Sequence, residues 1–144
     1  MGGAMRPDYI YIGCFFDVDE LQTAVAPIAP QRLERPIPAP HVTFAYRPER
    51  VDTRLFGRAV KVRVTGYGND GRNEGLRVEV LTRDPILREL ALRIQVPHIT
   101  LSVSRTGRPV DTAGLSFSPV EPFLLTGRFG GYLPDGTVVF SSAE

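Results

Sequence analysis

Apolar residues recur at every second position through most of this chain, which is the spacing of a β-strand with one buried face. Between Tyr9 and Val18, for example, apolar residues on the even-numbered positions form one face, and a less aliphatic set forms the other. Because a helix cannot bury such a pattern on one side, the chain is expected to be rich in sheet. Strands are predicted over 9–18, 41–46, 60–66, 76–82, 98–104, 123–129 and 137–140.

Helical patterns are fewer. Asp84 followed by Pro85 predicts the clearest helix start, because aspartate accepts N–H groups at an N-cap and proline suits the first turn. Asp19 is predicted to cap a shorter amphipathic stretch, and the prolines from Pro27 to Pro40 end that stretch in an extended loop. A helical turn or two is expected over 49–56. Hairpins are predicted for 60–66 with 76–82 and for 123–129 with 137–140.

The order strand, helix, histidine-bearing strand occurs twice along the chain, with His98 following His41 by a little under half of the 144 residues. We therefore expect an α+β fold of two similar lobes. With 42% hydrophobic residues the chain can bury one core, so residues 5–144 are predicted to form a single domain. Residues 1–4, ahead of Met5, have the composition of a cloning remnant.

Composition argues against several classes of function. The formal net charge of +1 gives no overall field that would attract long nucleic acid. The single cysteine, Cys14, cannot form an internal disulfide, and with only two histidines an ordinary zinc site is not expected. No run of about 18 apolar residues and no secretory leader pattern occurs, so a cytoplasmic protein without a membrane partner is expected.

The two histidines lie in closely matching stretches, PHVTFAY and PHITLSV. From composition alone, both would be preceded by proline and followed two positions later by threonine with a probability on the order of one in twenty thousand. In a strand, residues i and i+2 share a face, so His41 lies beside Thr43 and His98 beside Thr100. The intervening apolar residues point the other way and can fill a core.

Such a pair of motifs has a chemical use. An imidazole titrates near neutrality, so one histidine can accept a proton from a nucleophile while the other protonates a leaving oxygen. The threonine hydroxyls can donate hydrogen bonds to a phosphate held between them, and this chemistry requires no metal. The alternative is structural: each histidine would bond a backbone carbonyl beside a proline turn. The match between the motifs favours the functional interpretation.

Other candidate substrate contacts are Tyr11, Phe15 and Ser102. The two aromatic residues lie on the less aliphatic face of the first strand, where a ring could stack on a base beside the space left by Gly13, or could cover a second small core. Ser102 shares a face with His98 in an alternating strand and could line the same cleft.

Arginine supplies almost all of the positive charge, with one lysine, Lys61, among the 17 basic residues. Arg47 and Arg105 follow the two histidine strands and could clamp a phosphate, because a guanidinium binds phosphate oxygens in pairs. For both arginines, a solvated surface position is the more common alternative and the one favoured here.

The paired motifs His41-Val42-Thr43-Phe44 and His98-Ile99-Thr100-Leu101 resemble those of the 2H phosphoesterase superfamily, which includes bacterial RNA 2′,3′-cyclic phosphodiesterases of the 2′,5′-RNA ligase type. The resemblance implies a bilobal fold with two antiparallel sheets flanking a water-filled central cleft, helices on the outside and no metal or cofactor. It also implies that His98 activates water, that His41 protonates the departing ribose oxygen, and that the two threonines hold the phosphate. Because the motifs are nearly symmetric, the two histidine roles could be exchanged.

Two functions therefore remain open. The first is a metal-independent phosphodiesterase that opens a cyclic phosphodiester on a nucleotide or RNA end. The second is a non-catalytic module that binds the same nucleotide or RNA terminus in the same cleft. In either case a monomer is expected.

Overall fold

The computed structural model of the protein describes residues 8–141, so the remnant expected at 1–4 lies outside the described residues. Most of the described chain is β-structure, with two short α-helices and two 3₁₀ turns at Thr53–Leu55 and Pro109–Gly114. In chain order the other elements are β1 Tyr11–Phe15, α1 Val18–Val25, β2 Arg35–Pro36, β3 His41–Tyr46, β4 Ala59–Asn69, β5 Asn73–Leu81, α2 Pro85–Leu92, β6 His98–Val103, β7 Ser118–Tyr132 and β8 Val138–Val139.

The strands form a mainly antiparallel sheet, which confirms the α+β class. Seven of the described strands follow one hydrogen-bonded path in the order β2, β6, β5, β4, β7, β1, β3, and the eighth, β8, pairs with β7 outside this path. Both predicted hairpins are present, since β4 pairs with β5 and β7 pairs with β8. The histidine strands β3 and β6 lie near opposite ends of the path, so the order of pairing alone does not make them neighbours.

The core is built from the aliphatic face of the strands. Val60, Val62 and Val64 alternate along β4 and are almost completely buried, as the period-two pattern predicts. They belong to one cluster with residues of the helices, among them Leu21 of α1 and Leu87 of α2. Both helices therefore pack on the sheet through this cluster. Within residues 8–141, no helix is long and apolar enough to cross a bilayer.

Cys14 belongs to the same core and has no exposed surface. Burial raises the pKa of its thiol to about 12, because the interior disfavours the thiolate. The thiol is therefore protonated at neutral pH and lacks the reactive form that attacks electrophiles or binds metals.

Both α-helices begin after an aspartate N-cap, but the cap of α1 is two residues earlier than predicted. Asp84 accepts hydrogen bonds from the N–H groups of Ile86 and Leu87 at 2.9 and 3.0 Å, which confirms the predicted N-cap of α2. The predicted cap of α1 is wrong, because Asp17 rather than Asp19 holds that position and accepts from Asp19 N at 3.0 Å. β1 ends at Phe15, so the chain turns into the helix two residues earlier than expected.

The proline-rich segment after α1 links the two ends of the sheet. Its short strand β2 pairs with β6, and the Ile37 N–H continues this contact by donating to the Leu101 carbonyl at 3.0 Å. Three residues later, the Pro40 carbonyl accepts from Phe16 N–H at 2.9 Å, which attaches the chain to the end of β1. The segment therefore reaches from β6 to β1 and leads directly into His41.

Candidate active site

Both histidines are anchored in the same way. His41 and His98 begin β3 and β6, and each Nδ1 lies within hydrogen-bond distance of the carbonyl two residues earlier: Ala39 at 2.9 Å and Val96 at 2.7 Å. A carbonyl oxygen only accepts, so each Nδ1 carries the proton and donates it. In the neutral ring, Nε2 is then left with its lone pair. The shared sequence motif thus produces one tautomer twice.

The two histidine strands lie close together in space. β3 and β6 contact each other although they are not hydrogen-bonded neighbours. The two imidazoles are close enough for the charge of His98 to disfavour a charge on His41. β3 and β6 are thus adjacent in space, although β5, β4, β7 and β1 lie between them in the hydrogen-bonded order.

His41 is held in its neutral form. Burial is the largest cause, and the nearby His98 adds to it, so that the pKa of His41 falls to about 4 even though its bond to the Ala39 carbonyl raises it. A neutral imidazole with a free Nε2 lone pair is a proton acceptor at neutral pH. At neutral pH His41 can therefore accept a proton but has none to donate from Nε2.

Aromatic rings pack around His41. The ring centroid of Tyr11 lies 4.4 Å from that of His41, and Tyr132 stacks on the opposite side of Tyr11 at 4.8 Å. Phe15, the cross-strand partner of His41, lies 5.4 Å from the imidazole and is buried. These rings exclude water from one side of His41, which accounts for the burial that lowers its pKa.

Gly13 does not leave space for a base. A Cβ at this position would lie 2.1 Å from the Val42 carbonyl oxygen, so the backbone of β3 already fills the space. The pairing of β1 with β3 is irregular at Gly13, and this irregularity brings the two backbones close together. Tyr11 and Phe15 pack on each other and on the His41 ring, and the Tyr11 hydroxyl lies 3.3 Å from His41 Nδ1.

The two motif threonines differ in their surroundings. Thr43 is half-buried, and its hydroxyl has no hydrogen-bond partner among residues 8–141. Thr100 is buried, and its hydroxyl donates to Thr112 Oγ1 at 2.9 Å, with the Pro109 carbonyl at 3.3 Å. Asn73 supports this contact by donating to Thr112 at 3.0 Å. Only Thr43 therefore has a hydroxyl proton that no described group already accepts.

Ser102 is completely buried, whereas the alternation of β6 predicts a cleft-lining position. Its hydroxyl donates to Glu74 at 2.7 Å and accepts from Leu33 N–H at 2.9 Å. The pairing of β5 with β6 shifts between Glu74 and Gly75, and this shift leaves Leu101 without a partner. Because a bulge interrupts the alternation of faces, Ser102 does not follow His98 toward the open side.

Ser102 is part of a buried charged network. The Glu74 carboxylate has no exposed surface and forms an ion pair with Arg32 Nη1 at 2.9 Å. Tyr67 also donates its hydroxyl to Glu74. The Arg32 guanidinium donates to the Ala29 carbonyl, while its Nε is buried without a hydrogen-bond partner among the described residues. The network fastens the proline-rich segment to β5 and β6.

Arg47 and Arg105 lie away from the histidines, at the far ends of their strands. Arg47 follows Tyr46 and is exposed beside the Tyr46 ring, with its guanidinium carbon 5.8 Å from the ring centroid. Arg105 forms an ion pair with Glu34 at 2.8 Å, and 86% of its side chain is exposed. At about 3.3 Å per strand residue, each lies on the order of 20 Å along the backbone from its histidine. The structure does not bring these two residues into the site.

Arg77 is a site residue that the sequence did not reveal. It is the cross-strand partner of His98 in the pairing of β5 with β6, so the two side chains leave the sheet on the same face. Both strands were predicted, but nothing in the sequence shows that β5 pairs with β6 or in what register.

Within residues 8–141, no three His, Cys, Asp or Glu side chains are grouped so that they could hold a metal ion. No protein-family model matches the chain, and no curated protein matches it significantly. The functional assignment therefore rests on the geometry of the site and on the motif resemblance.

Proposed function

We propose that this protein is a metal-independent phosphodiesterase that opens a 2′,3′-cyclic or related phosphodiester on a nucleotide or RNA end. One observation carries the proposal. Two histidines from separate strands are held close together, and each donates Nδ1–H to its own backbone and keeps Nε2 available. A histidine that served only to bond a carbonyl would have no need of a second one in the same arrangement beside it.

In the proposed reaction, Nε2 of His41 accepts a proton from water as the water oxygen attacks phosphorus. The bond from phosphorus to one ribose oxygen breaks, and that oxygen takes a proton from Nε2 of His98, whose ring enters the step as the imidazolium with a proton on both nitrogens and leaves it neutral. The product is a ribose phosphate monoester beside a free hydroxyl. Because the pKa of His41 is about 4, this assignment exchanges the roles implied by the family resemblance.

The Thr43 hydroxyl donates to a non-bridging phosphate oxygen, where charge develops in the transition state. Its freedom from other partners among the described residues supports this role. Thr100 can take the same role only by turning its proton away from Thr112. We further propose that the curved sheet forms two lobes with β3 and β6 facing each other across the cleft.

A cyclic nucleotide assay tests the proposal. The protein is incubated with 2′,3′-cyclic nucleotides and with a short RNA ending in a cyclic phosphate, in the presence of EDTA, and the products are separated as 2′- and 3′-phosphates. We expect hydrolysis that survives chelation and disappears in His41→Gln and His98→Gln. Tight binding with unchanged substrate would show that the protein is the non-catalytic binding module. Activity that requires an added metal would overturn the metal-independent mechanism.

A further inference from the structure

The four motif residues have only one charged cross-strand partner. His41 pairs with Phe15, Thr43 with Gly13, Thr100 with Gly75 and His98 with Arg77. Directly opposed residues in an antiparallel pair have Cβ atoms about 5 Å apart and point to the same side of the sheet. The Arg77 side chain therefore starts beside the His98 imidazole.

The Arg77 guanidinium has no competing partner. Among residues 8–141 no carboxylate lies within ion-pair distance of it, and its side chain forms no hydrogen bond. The neighbouring arginines are engaged, since Arg32 pairs with Glu74 and Arg63 with Glu79. An exposed arginine without an acidic partner is free to bind an anion.

The other side of Arg77 is closed. Its second cross-strand neighbour is Gly66 of β4, and a Cβ at Gly66 would lie 3.1 Å from the Cβ of Phe117. Phe117 thus covers the sheet at this position and occupies the space over the glycine. The long Arg77 side chain can therefore extend toward His98 or into solvent, but not over Gly66.

The chemistry of the site calls for a fixed positive charge. A cyclic phosphodiester is an anion, yet His41 is neutral at pH 7, and Arg47 and Arg105 lie at the far ends of their strands. Arg128 is also exposed, but its guanidinium lies over the Phe140 ring, 4.3 Å from the centroid. Arg77 is the arginine that the strand register places beside a catalytic imidazole.

We propose that Arg77 and His98 form an anion-binding subsite that holds the phosphate group of a nucleotide. The guanidinium makes paired contacts with two phosphate oxygens, and the adjacent imidazole faces the ester oxygen. This subsite rests on the proposed function for its substrate class, but binding of a phosphate monoester can be measured without any turnover.

The two histidines give the test a direct readout, because the ring signals of only two residues have to be assigned by NMR. The protein is titrated with inorganic phosphate and with 2′-AMP while the His41 and His98 ring signals are followed. In the wild type we expect saturable shifts of the His98 signals. Arg77→Gln should weaken 2′-AMP binding about tenfold, and Arg77→Lys should weaken it less, because lysine keeps the charge but loses the planar fork.

Arg83→Gln is the matched control, since Arg83 is also exposed and without an ion pair among the described residues, and it removes the same charge. Its binding should stay within twofold of the wild type. Thermal unfolding checks that each variant is folded. If Arg77→Gln does not fold, the test uses Arg77→Lys in its place. If Arg77→Gln and Arg83→Gln weaken 2′-AMP binding equally, the effect comes from net charge alone, and that result overturns the subsite.

The subsite and the enzymatic function fail in different ways. Unchanged 2′-AMP binding in Arg77→Gln, or no His98 shift in the wild type, overturns the subsite even if cyclic nucleotides are hydrolysed. Binding of 2′-AMP that depends on Arg77, without hydrolysis of cyclic nucleotides, overturns the phosphodiesterase proposal and supports the subsite.

Discussion

His41 and His98 each donate Nδ1–H to the carbonyl of the residue two positions earlier, at 2.9 and 2.7 Å. In both motifs the residue between the acceptor and the histidine is a proline, which fixes one backbone angle and offers no competing N–H. The Pro-His sequence thus fixes a tautomer as well as a position, and it leaves Nε2 as the atom available for proton transfer.

The two histidines should act as a unit. General acid or base assistance contributes about 10² to 10⁴ in rate, so we expect His41→Gln and His98→Gln each to lower kcat/KM by that factor. The double variant should lose far less than the product of the two single effects, because proton transfer already fails when one partner is missing. Steady-state kinetics on a 2′,3′-cyclic nucleotide measures all three, and fully multiplicative losses would contradict a shared reaction.

Folding stability should fall in acid because of His41. Its pKa is about 4 in the folded protein against about 6.5 for an unperturbed histidine, so the unfolded chain binds the proton more readily. The unfolding free energy is therefore unaffected by this group above pH 6.5 and falls between pH 6.5 and pH 4, by about 3 kcal/mol in total. Urea unfolding at pH 7 and pH 4.5 measures the loss. The difference in unfolding free energy between the two pH values should be smaller in His41→Gln and unchanged in His98→Gln. The same difference in wild type and His41→Gln would be evidence against a neutral His41 in the folded protein.

The motif threonines should separate activity from stability. Thr43→Val removes a hydroxyl without a described partner, so we expect a 10- to 100-fold loss of kcat and little change in unfolding free energy, within about 0.5 kcal/mol. Thr100→Val breaks the buried bond to Thr112, so it should cost about 1 to 2 kcal/mol of stability. Thr43→Ser and Thr100→Ser keep the hydroxyls and should recover each loss. Equal loss of stability in both valine variants would show that the two hydroxyls are equivalent.

Gly13 should not tolerate a methyl group. The Cβ of Gly13→Ala would lie 2.1 Å from the Val42 carbonyl oxygen, and a backbone atom in a paired strand cannot move aside cheaply. We expect a loss of about 3 kcal/mol in chemical denaturation. Gly114→Ala is the control, because nothing lies within 4 Å of the added methyl group, and it should be close to neutral. A mild Gly13→Ala variant would show that β1 and β3 can separate locally.

The buried ion pair should be costly to break from one side. Glu74→Gln leaves the Arg32 guanidinium buried without its counter-charge, so we expect a loss of about 3 to 5 kcal/mol. The exposed pair of Arg63 with Glu79 is the comparison, and Glu79→Gln should change stability by less than about 1 kcal/mol. Similar small effects in both variants would mean that water reaches Arg32.

The sequence was sufficient where the physics is local. The alternation of PHVTFAY predicted β3 at its observed bounds, and Asp84-Pro85 predicted the start of α2 at the observed residue. Both signals act within a few residues, through the two-residue period of a strand and the side-chain cap of a helix. The matched motifs likewise identified the histidines and threonines that the structure places on β3 and β6.

Non-local pairing could not be deduced. β2 is two residues long and contains a proline, so it has no periodicity, and only its hydrogen bonds to β6 reveal it. The burial of Ser102 depends on a register shift opposite Glu74, and the position of Arg77 depends on which residue of β6 it meets. Register is set by contacts between distant parts of the chain, which one sequence does not display.

The interleaved strand order has a consequence for how the protein is made. β1 cannot complete its pairing until β7 has been synthesised. The proline-rich segment before His41 likewise cannot pair through β2 until β6 has been synthesised. During translation neither histidine can take its final place until most of the chain has left the ribosome, since the sheet depends on contacts between its first and last strands. The repeated motif notwithstanding, a cut between the two motifs would produce two fragments that must find each other, and not two half-sized proteins that fold separately.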